Sequence, residues 1–133
     1  MKLNPDCVRD ILMDIEESLE FKNVYFVRKE TSAPDEPITL NKTKYPHNVF
    51  LYHVSQCEQS NFITKVSYLD SGNCVQIGNM TPKGHDFLAN IRADNIWNKV
   101  KSVGMKIGAT SLSALVQIST GVVTQIIKNE LML

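Results

Sequence analysis

Apolar residues near the N-terminus recur at the spacing of an amphipathic helix. They are Val8, Ile11, Leu12, Ile15 and Leu19. Charged residues fill the positions between them, as on a helix that packs one face on a core. Asn4 suits the N-cap, and Pro5 suits the first helical position, where its missing N–H has no partner within the helix. The pattern predicts a first helix that begins at Pro5.

The next stretch has the pattern of a strand, a loop and a second helix. Residues 23–30 are rich in β-branched and aromatic side chains, which favour a strand. Two prolines oppose a long helix over residues 31–40, because each proline also restricts the residue before it. Helical periodicity returns from about His47 to Ser60, and Asn61 tolerates the left-handed conformation of a helix terminus.

A hairpin and a well-marked helix start follow. Residues 65–70 and 74–77 flank Ser71-Gly72-Asn73, whose glycine and asparagine suit the positive φ angles of a tight turn. Thr81 is a good N-cap and Pro82 is a good first helical residue. The sequence therefore predicts two antiparallel strands followed by another helix.

This order of elements predicts an α+β fold, with a winged helix-turn-helix core, a small antiparallel β-hairpin and additional C-terminal helices. Gly84 indicates that the helix start packs closely against the hairpin, where a side chain does not fit. The chain has 133 residues and is 43% hydrophobic, enough to bury a core. We predict a winged-helix-like domain over residues 1–103 and a C-terminal helical dimerisation extension over residues 104–133.

The final predicted helix, capped by Thr110 or Ser111, carries apolar side chains on more than one face. A surface helix buries a single stripe, so this breadth predicts that a second copy of the chain covers the other face. The candidate dimer-interface residues are Leu112, Leu115, Val116, Val122, Val123, Ile126 and Ile127. Polar residues dilute the segment, which falls short of the about 20 mostly apolar residues that span a membrane. We predict no membrane partner.

Charge is balanced overall and uneven along the chain. Fourteen basic and 14 acidic residues give a net charge of zero. Residues 1–40 hold five basic and nine acidic groups (net −4), residues 41–101 hold seven and four (net +3), and residues 102–133 hold two and one (net +1). The winged segment is thus the mildly basic part, which permits nucleic-acid binding without requiring it.

The helix that begins near His47 is the candidate recognition helix. Its polar residues can reach bases or phosphates, and nearby polar and basic residues can join them. The candidate nucleic-acid-binding residues are Lys44, Asn48, Tyr52, Ser55, Gln56, Gln59, Lys65 and Asn73. The alternative interpretation is an ordinary solvated helix surface beside a small sheet that only covers the core.

The cysteine and histidine residues give little support to a chemical site. Cys7, Cys57 and Cys74 are an odd number without a CxxC pair, and the N-terminus lacks the apolar run of a signal peptide, which together predict a cytoplasmic protein. His53 and Cys57 stand four residues apart, but neither loop-borne zinc ligands nor a third catalytic group accompanies them. No GxGxxG, GxxxxGK[ST] or HExxH pattern occurs. We predict a protein that is not an enzyme, without metal or cofactor.

Residues 80–101 resemble a family of small winged-helix-like proteins of Firmicutes and their phages that is known as a domain of unknown function. The resemblance is carried by Thr81-Pro82-Lys83-Gly84-His85-Asp86-Phe87-Leu88, by residues 1–12 and by Tyr52-His53-Val54, and it covers most of the chain. It implies a winged-helix-like fold and a bacterial or phage origin, and it suggests DNA binding by analogy.

Two functions follow as hypotheses. The first is a winged-helix DNA-binding or regulatory accessory protein of phage or mobile-element origin, which binds double-stranded DNA and forms a homodimer. The second is a non-catalytic protein-interaction module, such as a phage-encoded inhibitor of a host or defence protein, without nucleic-acid binding. The near-zero net charge favours the second hypothesis.

Overall fold

A computed structural model of the chain describes residues 1–18, 25–29 and 45–132. These residues form five α-helices and one three-stranded antiparallel sheet, so the α+β class is confirmed. In chain order the elements are α1 (Pro5–Ser18), β1 (Tyr25–Arg28), α2 (His47–Gln59), β2 (Ile63–Leu69), β3 (Cys74–Met80), α3 (Pro82–Ile91), α4 (Asp94–Ile107) and α5 (Leu112–Leu131). The chain divides into two compact units, Met1–His85 and Asp86–Leu133.

The sheet of the first unit has the strand order β1–β3–β2. Ile77 of the central strand pairs with Tyr25 on one side and with Val66 on the other. Paired residues share a face of the sheet, and this face carries the buried side chains of Tyr25, Val27, Val75 and Ile77. The core of the first unit therefore lies on this face of the sheet.

Helix α1 begins as its sequence predicts. The Asn4 Oδ1 atom accepts a hydrogen bond from the Asp6 N–H at 3.0 Å, which caps the helix. The predicted apolar residues from Val8 to Ile15 are buried, whereas Leu19 lies outside the described residues. The Tyr45 hydroxyl, just before α2, donates to the Asp10 carboxylate at 2.5 Å and joins the two segments.

Helix α3 starts where its cap predicts, and Gly84 explains the close contact there. Thr81 Oγ1 accepts from the Gly84 N–H at 3.0 Å. A Cβ atom on Gly84 would overlap the carbonyl oxygen of Phe62 and approach Met80 Cγ to 2.8 Å. Since these residues stand at the base of the β2–β3 hairpin, the predicted close packing of this turn against the hairpin is confirmed.

In the second unit, α4 and α5 form a helical hairpin. Gly108 ends α4 with a φ of 71°, and Ser111 Oγ caps α5 by accepting from the Ala114 N–H at 3.1 Å. Gly104 of α4 lies so close to α5 that a Cβ there would come within 3.3 Å of Leu115 Cδ2. Helix α5 buries only Leu112, Leu115 and Ser119.

The predicted domain boundary after residue 103 falls inside α4, and the division into a winged domain and a dimerisation extension stays a prediction. The predicted loop over residues 31–44, where the second helix of a helix-turn-helix would stand, lies outside the described residues. Of the helices that the structure describes, none combines the length and the apolar character needed to cross a membrane.

Candidate nucleic-acid interface

Helix α2 separates its side chains into a buried face and a polar face. Phe50, His53, Val54 and Cys57 are its buried residues. Five of the predicted contact residues recur at spacings of three and four on the other side of the helix. They are Asn48, Tyr52, Ser55, Gln56 and Gln59, of which Asn48 and Gln59 are exposed and the others half-buried. The structure therefore brings these five predicted residues together on one face.

The C-terminus of α2 is fixed by a left-handed residue. Asn61 has a φ of 62°, the Phe62 N–H donates to the Cys57 carbonyl at 2.9 Å, and the Asn61 N–H donates to the Glu58 carbonyl at 3.0 Å. These two bonds form a Schellman motif, which turns the chain from α2 into β2. The asparagine therefore takes the place that glycine most often occupies at a helix end.

The two residues of α2 that were considered as metal ligands or as a nucleophilic pair, His53 and Cys57, belong to the core. His53 is fully buried, its Nε2 atom accepts from the Asn4 backbone N–H at 2.8 Å, and its Nδ1–H donates to the Val49 carbonyl at 2.7 Å. Both ring nitrogens are thus occupied in the neutral imidazole. Burial raises the pKa of the Cys57 thiol, which keeps it protonated. Both residues therefore have structural roles in α2.

The described part of the chain contains no group of three or more His, Cys, Asp or Glu residues placed to hold a metal ion. Within these described residues Cys7, Cys57 and Cys74 form no disulfide, and all of them are buried.

A chain of hydrogen bonds connects the polar face of α2 to β2. The Gln59 Nε2–H donates to Ser55 Oγ at 2.9 Å, and the Ser55 side chain is hydrogen-bonded to Tyr68. Burial raises the pKa of Tyr68, Glu58 adds to the rise through its negative charge, and the bond from Ser55 opposes it. The polar groups of Ser55 and Gln59 are thus partly occupied within the protein.

The tip of the hairpin is tied to the start of α2. The His47 Nε2–H donates to the Gly72 carbonyl at 2.8 Å. The turn over Asp70–Gly72 is left-handed, with φ angles of 52° at Asp70, 54° at Ser71 and 88° at Gly72. The predicted positive φ at Asn73 is wrong, since its φ is −70° and the two residues before Gly72 take the left-handed conformation instead. The acidic Asp70 lies exposed at this tip, where it disfavours close approach of a phosphate.

Lys65 has an unusual conformation for a strand residue. Its φ angle is 58°, in the left-handed region that costs a residue with a side chain about 1–2 kcal/mol. It stands opposite Gly78, where a Cβ atom would lie 2.6 Å from the Lys65 Cβ. Lys65 is exposed, so its ammonium group is free to reach a ligand beside β2.

The remaining predicted contact residues are placed as follows. Asn73 is exposed just before β3, and the ring of Tyr52 stands edge-on to His53 with centroids 5.1 Å apart. Lys44 lies outside the described residues. Residues 47–59 contain one charged group at neutral pH, Glu58. Direct readout by α2 would therefore use neutral amide and hydroxyl groups, and attraction to phosphate would come from Lys65.

The predicted dimer residues of α5 do not share one environment. Leu112 and Leu115 are buried, Val116, Val122 and Val123 are half-buried, and Ile126 and Ile127 are 41% and 51% exposed. The first two turns of α5 thus take part in the core, whereas the second half of the helix presents apolar groups outward. Their role in a dimer stays a prediction.

Comparison with known proteins places the chain in a family. The model of a family described as "Hypothetical protein (DUF2513)" matches residues 2–110. The chain belongs to DUF2513. An uncharacterized protein of Haemophilus influenzae is similar to it, with 25% identity over 129 residues that cover 96% of this chain and 99% of the relative. No solved structure matches this DUF2513 chain.

Two residues of the candidate interface of this DUF2513 chain could not be identified from the sequence pattern. Tyr68 is an ordinary strand residue by its propensity, and only the packing of β2 beside α2 joins it to Ser55. His47 is the first residue of α2, and nothing in its sequence context indicates a partner. Its hydrogen bond to the Gly72 carbonyl follows from the position of the hairpin tip. The polar face of α2 itself could be predicted from the helical periodicity of the sequence alone.

Proposed function

We propose that this DUF2513 protein binds double-stranded DNA through α2 and the β2–β3 hairpin, as a non-catalytic, cytoplasmic regulatory accessory protein of phage or mobile-element origin. The observation that carries the proposal is the polar face of α2, where five polar side chains recur at helical spacing on the side away from the core. Asn48 and Gln56 have the side-chain type that bonds adenine in the major groove.

The order of elements supports the proposal by analogy. A helix, a strand, a candidate recognition helix and a hairpin follow one another, and the strand pairs with the second strand of the hairpin. A winged-helix core has the same arrangement, in which the helix before the hairpin enters the major groove and the hairpin contacts the backbone. The winged-helix core is part of the proposal.

Lys65 and Asn73 are proposed to contact phosphate, Lys65 from β2 and Asn73 from the turn that leads into β3. The net charge of zero and the single basic group among these residues predict few phosphate contacts. Each contact contributes about −0.9 to the slope of log affinity against log salt, so the slope is expected to be shallow, at about −1 to −3 for a monomer.

A salt-titrated binding measurement with random-sequence duplex DNA tests the proposal. We expect binding at about 50 mM salt that weakens as salt rises, and Lys65→Ala should reduce the slope by about 1. Gln56→Ala should weaken binding to a selected sequence while leaving the slope unchanged. Gln117→Ala, an exposed residue of α5, serves as the matched control. Absence of binding at low salt in the wild-type protein would overturn the proposal.

The second candidate is a protein-interaction module that uses the same face against a host protein. The neutral character of α2 favours it, because residues 47–59 carry no lysine or arginine to attract phosphate. This candidate predicts that the wild-type chain captures a host protein and that a Tyr52→Ala/Gln56→Ala variant does not. It also predicts no DNA binding at any salt concentration.

We also propose that two copies of the chain form a homodimer through α5. The outward apolar groups of its second half support this proposal, since Ile126, Ile127 and Leu131 are exposed. The solution mass of the full chain tests it, and we expect twice the mass of one chain at micromolar concentration.

A further inference from the structure

The second half of α5 is helical despite a sequence that disfavours an isolated helix. Residues 121–131 include Gly121 and five β-branched residues, which are Val122, Val123, Thr124, Ile126 and Ile127. None of these residues is buried in the protomer, because burial in α5 ends at Ser119. Helices of this length are marginal in water unless packing stabilises them. A surface that covers the outer side of this segment would therefore stabilise it.

A groove runs between α4 and this half of α5. It encloses about 560 Å³ and is lined by Val103 of α4 and by Ile118, Val122 and Ile126 of α5, with polar groups along its rim. Lys99 is the only charged residue among the described residues that line it. An apolar floor with a polar rim suits the side chains of an amphipathic helix.

The same half of α5 carries a matching ridge. Val123, Ile127 and Leu131 follow at intervals of four and form one row along the helix. Ile127 is 51% exposed and Leu131 is 81% exposed. Because groove and ridge lie on the same helix segment, two copies related by a twofold axis can each place a ridge in the other's groove.

We propose that α5 of a second copy lies antiparallel in this groove, with its ridge against the apolar floor. The inference rests on the proposed homodimer and specifies its geometry. We centre the contact on Ile126, the midpoint of residues 121–131. In an antiparallel pair, each residue of one copy then faces the residue of the second copy whose number adds to its own to give 252. Glu130 of the second copy then lies level with Val122, which lines the groove together with Lys99.

This geometry pairs opposite charges across the interface. Lys99 and Glu130 are both exposed in the protomer. Twofold symmetry makes the Lys99–Glu130 pair occur twice, so one reversed charge changes two contacts per dimer. The charge of the groove thus matches the carboxylate of the helix that we place in it, which favours a second copy as the occupant.

Sedimentation equilibrium of the full chain, at several concentrations and in low salt, tests the arrangement. We expect Lys99→Glu and Glu130→Lys each to raise the dimer dissociation constant about tenfold, because each replaces two attractions by two repulsions. The double variant should return to within about threefold of the wild-type constant. Lys106→Glu, an exposed lysine of α4 outside the groove lining, should have a much smaller effect.

The outcomes separate the two proposals. A wild-type chain that stays monomeric at every concentration overturns the homodimer and this geometry together. A dimer whose Lys99 and Glu130 variants lose affinity without mutual rescue overturns the geometry alone. Ile127→Glu provides a second measurement, since it removes the ridge and should abolish the dimer, and circular dichroism confirms that each variant is folded.

Discussion

His53 shows how a single residue joins two helices of the first unit. Its Nε2 atom accepts from the Asn4 N–H, which belongs to the residue that caps α1. Its Nδ1–H is satisfied within α2 by Val49. A buried imidazole with both nitrogens bonded costs little to bury, and it fixes the start of α1 relative to α2. Replacing it with an apolar residue would leave the Asn4 N–H without this acceptor.

Gly84→Ala is expected to lower the free energy of unfolding by about 1–3 kcal/mol. In a helix this substitution usually stabilises by about 1 kcal/mol, but here the added Cβ meets the Phe62 carbonyl oxygen and Met80. Gly121→Ala is the matched control, since no atom lies within 4 Å of its added Cβ, and it should stabilise. Urea unfolding at a dilution that keeps the chain monomeric measures both. A stabilising Gly84→Ala would contradict the packing at this turn.

Because the Cys57 thiol is buried, we expect the free energy of unfolding to fall in alkaline solution. Burial, with a smaller effect of Cys7, raises its pKa in the folded state, whereas a thiol in the unfolded chain ionises near pH 8.5. Below that pH the thiol adds no pH dependence. Above it only the unfolded state loses the proton, so the free energy of unfolding falls by up to about 1.4 kcal/mol per pH unit.

Urea unfolding at pH 7.5 and pH 9.5 measures this loss. In Cys57→Ala the fall between the two pH values should be smaller by about 1.4 kcal/mol, whatever the variant loses at both from its cavity. Equal falls in the two proteins would show that Cys57 does not contribute. Burial also raises the pKa of Tyr45 and Tyr68, so both proteins should lose further stability above about pH 10.

At the scale of elements, α2 and the hairpin are held together by specific contacts at both ends. His47 bonds to Gly72 at the hairpin tip, and Ser55 bonds to Tyr68 along β2. The turn after Asn61 sets where β2 begins. The polar face of α2 is thus presented on a supported helix, as a binding site requires of its scaffold.

Within the hairpin, Gly78→Ala should lower the free energy of unfolding by about 1–2 kcal/mol, because its Cβ would lie 2.6 Å from the Lys65 Cβ. The contact is removed in Lys65→Gly, which also relieves the left-handed strain. In that background Gly78→Ala should cost less than about 0.5 kcal/mol. A double-mutant cycle by urea unfolding measures the coupling, and additive effects would contradict the contact.

The sequence predicted elements whose ends are chemically marked. Asn4, Thr81 and Ser111 all cap helices, and Gly72 has the positive φ that was predicted for it in the hairpin turn. These features depend on neighbouring residues, so local propensity suffices to find them. The polar face of α2 followed from the 3.6-residue period for the same reason.

Other features depend on contacts between distant residues and could not be predicted locally. The left-handed φ of Lys65 has no cue in a β-type stretch, and the bond from Asn4 to His53 spans 49 positions. Periodicity assigned Leu112 and Leu115 to the same interface as Ile126 and Ile127. It cannot tell which turns of α5 the protomer itself covers.

At the scale of the whole molecule, the charges and apolar groups are divided along the chain. The first 40 residues are acidic, the segment with α2 and the hairpin is mildly basic, and the exposed apolar groups of the second unit lie mainly at the end of α4 and in the second half of α5. The two proposed contacts, with DNA and with a second copy, therefore use different units. Variants of one contact should leave the other intact.

The thermal midpoint should rise with protein concentration if α5 associates, because a dimer favours the folded state by mass action. A hundredfold increase in concentration adds about 1.4 kcal/mol per chain, which for a chain of this size corresponds to roughly 3–6 °C. Calorimetry at about 2 and 200 μM measures the shift. Ile127→Glu should remove it, and a wild-type midpoint independent of concentration would speak against association.

The conformation of Lys65 also affects how the sheet meets other chains. Among the residues that the structure describes, β2 forms one border of the sheet, and no described strand lies beside its outer N–H and C=O groups. A regular border of this kind is a template for edge-to-edge aggregation. The left-handed turn at Lys65 breaks the regular row of these groups in the middle of β2 and places an ammonium group there. We therefore expect the left-handed conformation of Lys65 to oppose fibril-like pairing at this border.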